Sequence, residues 1–290
     1  MKITVKVPAT SANLGSAFDV GGIAFGLYNC ISFAPSEKLI IKGCDERYRN
    51  ENNMAYLAYE KVLEKLGENG EVEIDFEKTE IPVTRGLGSS AALIVAGAYS
   101  ANALYGNKLS KEELLNICTE IEGHPDNVAP ALYGGLCLSI MGNGKVFCVK
   151  SEVSDKIKFT AIIPEFKVST KEARKALPVK IPFKSAVFNS SRTALLAEAF
   201  KSGNMDLIAE VTKDKLHQNY RKKLYKNADE VEKISKEIGA KAFFVSGAGP
   251  TQIAVSETSI ASKLNERLKG IENGWKAIEL TADNFGATEI

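Results

Sequence analysis

The stretch Pro82-Val83-Thr84-Arg85-Gly86-Leu87-Gly88-Ser89-Ser90-Ala91-Ala92 carries the residue types of a phosphate cradle. Glycines let the backbone curl until successive N–H groups face one anion. The helical residues from Ala91 to Leu104 would aim their positive end at the same place. The serine hydroxyls can hold a phosphate oxygen or a magnesium ion. No lysine follows Gly88, so the stretch is not the G-x-x-x-x-G-K-[ST] loop. A plain glycine–serine turn before a buried helix has the same composition, and the stretch alone leaves both readings open.

Three more clusters could do chemistry. In Ser11-Ala12-Asn13-Leu14-Gly15-Ser16-Ala17-Phe18-Asp19-Val20-Gly21-Gly22, Asn13 and Asp19 can bind amine and hydroxyl groups. Both residue types also tolerate left-handed backbone, so a turn explains the spacing equally well. In Glu120-Ile121-Glu122-Gly123-His124-Pro125-Asp126-Asn127-Val128-Ala129-Pro130, helical periodicity separates the two glutamates. At about 100° per residue, Leu114, Ile117, Cys118 and Ile121 define a buried face. Glu122 falls on its rim, where a carboxylate needs a partner such as a cation, and Glu120 points toward water. His124 and Asp126 read either as site residues or as a helix end followed by an Asp-Asn turn. In Ser246-Gly247-Ala248-Gly249-Pro250, glycine permits close approach of a ligand or another loop. Thr170 and Arg174 share one side of any helix there. Arg221 follows His217-Gln218-Asn219-Tyr220, and a guanidinium fork suits a carboxylate.

These segments need a frame to bring them together. The 290 residues allow one large domain or two smaller ones, and 44% hydrophobic with 25% charged residues is ordinary for a globular chain. A formal net charge of +1 marks no nucleic acid or anionic membrane as a partner. No apolar run approaches the roughly 18 residues of a spanning helix. Five scattered cysteines without a C-x-x-C pair suit a reducing compartment, and two histidines exclude a His-rich metal site.

Alternation or apolar runs predict strands at 3–7, 29–33, 39–43, 72–76, 136–140, 145–149, 159–163, 241–245, 252–255 and 275–280. Periodicity predicts helices at 54–66, from the Ser110–Glu113 capping box onward, and at 191–201, 205–216, 228–238 and 259–268. Gly67 ends the first of these helices, and Asn227 caps the one at 228. Strands and helices mix without strict βαβ alternation, so the fold class is α+β.

Taken together and in this order, the small-residue motifs resemble the GHMP small-molecule kinase superfamily, whose most specific signature is Pro82 to Ala92. The narrower resemblance is to the homoserine kinases. It is carried by Ser11 to Gly15 with Phe18-Asp19, by Glu122 to Pro130, by Ser169 to Pro178 and by Ser246 to Pro250. It implies a two-domain fold. Residues 1–155 would form the ATP-binding domain, with a left-handed βαβ crossover that breaks the usual rule. Residues 156–290 would form a ferredoxin-like domain.

The resemblance further implies ATP-dependent phosphorylation of the side-chain hydroxyl of L-homoserine, a step of threonine biosynthesis, in the cytoplasm. ATP phosphates would meet Pro82, Arg85, Gly86, Leu87, Gly88, Ser89, Ser90 and Ala91, with adenine near Asn53. Ser90 and Glu122 would hold Mg²⁺. Homoserine would be held by Asn13, Asp19, His124, Asp126, Thr170, Arg174, Arg221, Gly247 and Gly249. Asp19 and Glu122 are the expected catalytic residues, with Asp19 acting as a base or as a binding group. Ser16-Ala17 and Ala248 depart from the family pattern without removing a polar group. A homodimer stays open. The alternatives are another kinase of the superfamily acting on a different small alcohol, and a non-catalytic ligand sensor.

Overall fold

The alternating N-terminus forms β1 (Ile3–Ala12), which pairs antiparallel with β2 (Gly21–Ser36). The computed structural model describes residues 1–290. β3 (Ile40–Lys42) and β4 (Glu71–Thr79) are parallel neighbours, which demands a crossover. α1 (Met54–Leu66) supplies it, with the bounds expected from its periodicity. Its start is fixed where the Asn53 side chain accepts the Ala55 N–H at 2.9 Å, and its end at left-handed Gly67. Such a cap is worth about 1 kcal/mol.

α2 (Ser89–Leu104) is apolar on nearly every side and packs between α1 and β1. α3 (Lys111–Glu122) begins on the expected Ser110–Glu113 capping box. α4 (Pro125–Tyr133) follows almost at once. The hairpin β5 (Leu136–Gly142) and β6 (Lys145–Ser151) joins the sheet through β2, which also pairs with β4.

The second half contains β7 (Lys158–Ile163), α5 (Thr170–Lys175), α6 (Phe183–Ser202), α7 (Met205–Val211), α8 (Gln218–Arg221) and α9 (Ala228–Glu237). It continues through β8 (Ala242–Val245), β9 (Gln252–Ser256), α10 (Ala261–Leu268) and β10 (Lys276–Leu280). Its sheet runs β10-β7-β9-β8, antiparallel throughout, which is the ferredoxin-like order. The chain then returns to the first sheet. β11 (Thr288–Glu289) pairs with β1, and Ala282 bridges to Phe25.

One apolar core joins the two sheets. Phe25 of β2 lies 5.0 Å from Phe159 of β7, which stacks on Phe200 of α6 at 6.2 Å, all fully buried. Each buried ring contributes about 1.5–3 kcal/mol, so the seam behind the loops is firmly held. No helix is long and apolar enough to cross a membrane.

Several local expectations are corrected. Asp126 and Asn127 do not form a turn after a helix end. They lie in the first turn of α4, because Pro125 at its first position starts a helix readily. α6 begins at Phe183 rather than at residue 191; the apolar Phe183 and Val187 of its first two turns face solvent instead of the core. α7 stops at Val211 rather than at 216. There the Asp214 side chain accepts the N–H groups of Leu216, His217 and Gln218 and starts α8 instead. Asn227 precedes α9 in left-handed conformation, yet its side chain donates to Glu230 rather than capping the helix.

Candidate active site

A cavity of about 750 Å³ opens where the Gly-Ser loop, the β3–α1 connection, the start of α5 and the Gly247–Gly249 turn meet. Gly88 is the N-cap of α2 in left-handed conformation, and a Cβ there would collide with the Thr10 side chain. The loop is thus held against β1, and the unpaired N–H groups of the first turn of α2 begin at the cavity wall. Ser246 Oγ donates to the Gly86 carbonyl, and Gly247 N–H donates to Ala12 O at 2.9 Å. Three loops far apart in sequence are locked together behind the cradle.

Gly86, Gly88, Ser89 and Ser90 line the cavity with Glu122, Thr170, Gly247 and Gly249. Ser90 Oγ donates to Glu122 at 2.7 Å. Burial pushes the Glu122 carboxyl above its ordinary range, and the Ser90 hydrogen bond partly offsets this. Glu120 is exposed and pairs with Lys61 at 3.3 Å, as its helical position requires. Pro82, Leu87 and Ala91 do not line the cavity, and Leu87 and Ala91 are buried. Arg85 lines it, but its guanidinium donates to the carbonyls of Pro164 at 3.1 Å and Glu165 at 2.6 Å. That ties the loop to the segment leading into α5. Asn53 also lines the cavity. Its amide is engaged with Ala55 N–H and with Tyr48 O, so it shapes the wall between Tyr48 and α1.

The other expected residues form a charged cluster. Arg174 donates to both oxygens of Asp19, at 2.9 and 3.2 Å, and sits 3.1 Å from His124 Nε2. Asn13 Oδ1 accepts the Asp19 N–H at 2.8 Å, and both residues have left-handed backbone. The turn is therefore real, and it is what presents the carboxylate. Asp126 is 4% exposed. Burial pushes its carboxyl up to about 7, aided by the charges of Asp19 and Glu122 and opposed by Arg221 and Arg174. Arg221 is buried, and its Nη1 donates to Gly247 O at 2.7 Å. The guanidiniums of Arg221 and Arg174 lie 5.0 and 5.7 Å from the Phe18 ring.

Some residues escaped the sequence reading. Asn127 lines the cavity and accepts a hydrogen bond from Thr10 Oγ1 at 2.8 Å. Arg47 and Tyr48 wall the same cavity. Asn127 follows Asp126 directly, so the motif pointed at it. Nothing in the pattern around Tyr48 could have done so.

A glycine cradle at a helix N-terminus and a half-buried carboxylate bonded to a serine, beside a cluster of carboxylates and guanidiniums, are the parts of a small-molecule kinase site. The model of the GHMP kinases N terminal domain matches residues 53–135, and that of the GHMP kinases C terminal matches residues 196–270. The chain is 46% identical to a homoserine kinase of Clostridium beijerinckii, over 99% of this chain and 98% of that one. It is 43% identical to a homoserine kinase of Clostridium botulinum, over 98% and 97%. The solved homoserine kinase of Cytophaga hutchinsonii superposes with a TM-score of 0.90 at 31% identity, covering 100% and 97%. The chain belongs to the homoserine kinase family of the GHMP kinases. A mevalonate kinase of L. major shares the fold, with a TM-score of 0.73 at 16% identity over 97% and 96% of the two chains.

Proposed function

We propose that the protein transfers the γ-phosphoryl group of ATP to the side-chain hydroxyl of L-homoserine, giving ADP and O-phospho-L-homoserine for threonine biosynthesis. The observation that carries this is the contact between two unlike surfaces. The phosphate cradle of Gly86–Ser90 shares a cavity with Thr170 and Gly247–Gly249, and the Asp19–Arg174–His124 cluster adjoins it through those same segments. A zwitterionic amino acid matches such a cluster, with its ammonium toward Asp19 or Asp126 and its carboxylate toward Arg174 and Arg221.

Phosphoryl transfer has a loose transition state, so positioning and charge neutralisation dominate. Backbone N–H groups at the start of α2 supply fixed positive potential in place of a loop lysine. No three His, Cys, Asp or Glu side chains are grouped to hold a metal unaided. One carboxylate and one hydroxyl, Glu122 and Ser90, suit Mg²⁺, which shares its octahedron with waters and phosphate oxygens. When bound there it would neutralise charge on the transferred group. We assign residues 1–155 to nucleotide binding and 156–290 to the second domain, with the last ten residues closing back on the first sheet. Five free thiols suit the cytoplasm.

The test is ADP release with ATP, Mg²⁺ and a panel of L-homoserine, L-threonine, L-serine, mevalonate and galactose. Turnover should depend on L-homoserine. Preference for another alcohol would replace the substrate and keep the fold's chemistry. Nucleotide binding without turnover on any of them would make the protein a sensor.

A further inference from the structure

His217 has no part in the mechanism above, yet it touches both sides of the substrate cluster. It is fully buried. Its Nε2 lies 2.8 Å from the carbonyl of Gly15, in the loop that carries Asn13 and Asp19. A carbonyl can only accept, so Nε2 carries the proton and Nδ1 is left as an acceptor. Burial keeps the imidazole neutral, pushing its pKa down to about 4. Nδ1 faces Arg221 Nη1 at 3.4 Å, the nitrogen that also donates to Gly247 O.

Both hydrogens of Nη1 therefore have protein acceptors. Arg221 Nε is buried with no partner, and Nη2 makes no hydrogen bond to the protein. That Nε–Nη2 edge is a guanidinium fork suited to a carboxylate. The surroundings hold the imidazole still. The Phe18 ring lies 5.2 Å from it, and the Asp214 carboxylate accepts its backbone N–H at 2.8 Å. Gly15 approaches Thr212 so closely that a Cβ would collide with its backbone.

We infer that His217 is a positioning residue for substrate recognition. Its imidazole ties the Gly15 loop to Arg221 and turns the guanidinium so that its unpartnered edge meets the amino-acid carboxylate. This rests on the homoserine reading above.

Two variants separate the two contacts. In His217→Asn the side-chain oxygen can take the place of Nδ1 and keep the Arg221 contact. In His217→Gln the side-chain nitrogen can take the place of Nε2 and keep only the Gly15 contact. The Gln variant should raise the KM for L-homoserine about tenfold, with kcat and the KM for ATP within about twofold, and the Asn variant should recover most of the loss. Equal effects of the two variants, or parallel shifts in both KM values, would mean a merely structural histidine and overturn the inference.

A second readout needs no turnover. In ¹⁵N spectra of the folded protein, Arg221→Lys should move the His217 Nδ1 resonance and leave Nε2 in place. An unmoved Nδ1 overturns the link even if the enzyme is active. A moved Nδ1 in a protein inert toward homoserine keeps the link and discards the substrate.

Discussion

The phosphate side of the site is made of backbone and small residues within Gly86–Ser90 on the cavity wall, whereas the substrate side, adjoining the cavity, is made of polar and charged side chains from Asn13 to Arg221. On the first side the groups point where the helix start points them, and little can be rotated away. On the second side the Asp19 charge is already paired, while one edge of Arg221 has no partner. Arg174 holds Asp19 through both oxygens, and Arg221 leans on Gly247 and His217. A cradle of dipoles is ready for its anion as built. A cluster with one ion pair and one free guanidinium edge must loosen the Asp19–Arg174 pair when an amino acid arrives, so its selectivity depends on the bonds that keep each side chain in reach.

The largest effect should fall on the phosphate side. Glu122→Ala should lower kcat by about 10³-fold, with a small change in the KM for homoserine, because it removes the one carboxylate beside Ser90. A loss below tenfold in Mg²⁺-saturated assays would move the metal elsewhere. Gly88→Ala should cost about 10²-fold in kcat/KM for ATP, because the loop must leave Thr10 to admit a Cβ.

On the substrate side Arg174→Ala should raise the KM for homoserine about 10- to 100-fold and spare the KM for ATP. Asp19→Asn then decides between two roles for the same carboxylate. A few-fold change carried by KM means binding, and a drop of about 10² in kcat means proton removal.

The pH profile sharpens the contrast. Below about 7 the Asp126 carboxyl is protonated in the free protein and no longer attracts an ammonium. Log kcat/KM for homoserine should fall by about one per pH unit as pH drops through that range. Asp126→Asn should remove that limb. If it survives in the variant, another group sets it.

The smallest effect belongs to Arg85. If its guanidinium ties the loop to the Pro164–Glu165 segment, Arg85→Met should raise the KM for homoserine a few-fold through α5. A rise confined to the KM for ATP would make it a phosphate ligand instead.

The same contrast governs what was legible in the sequence. The cradle could be read because its parts are contiguous and each has a local reason, glycine for the curl and an apolar run for the helix. Helical phase likewise separated half-buried Glu122 from exposed Glu120. The charged cluster became legible only through family resemblance, since no local rule links Asp19 to Arg174 across 155 residues. The start of α4 was missed because a proline after a glycine and a histidine reads as a break, although it also serves as a first helical residue. The end of α7 was missed because Asp214 accepts three backbone N–H groups between α7 and α8, and that turn outweighs continuing periodicity. β11 is two residues long and held by its partner alone, so it has no pattern of its own.

The central claim is that the charged cluster reads both the ammonium and the carboxylate of the substrate while the cradle reads the nucleotide independently. The most direct test compares kcat/KM for L-homoserine with that for 4-hydroxybutyrate, which lacks the ammonium, and for 3-amino-1-propanol, which lacks the carboxylate. Both truncated alcohols should be poorer by about 10²-fold or more at an unchanged KM for ATP. Phosphorylation of either one within about tenfold of L-homoserine would contradict the account.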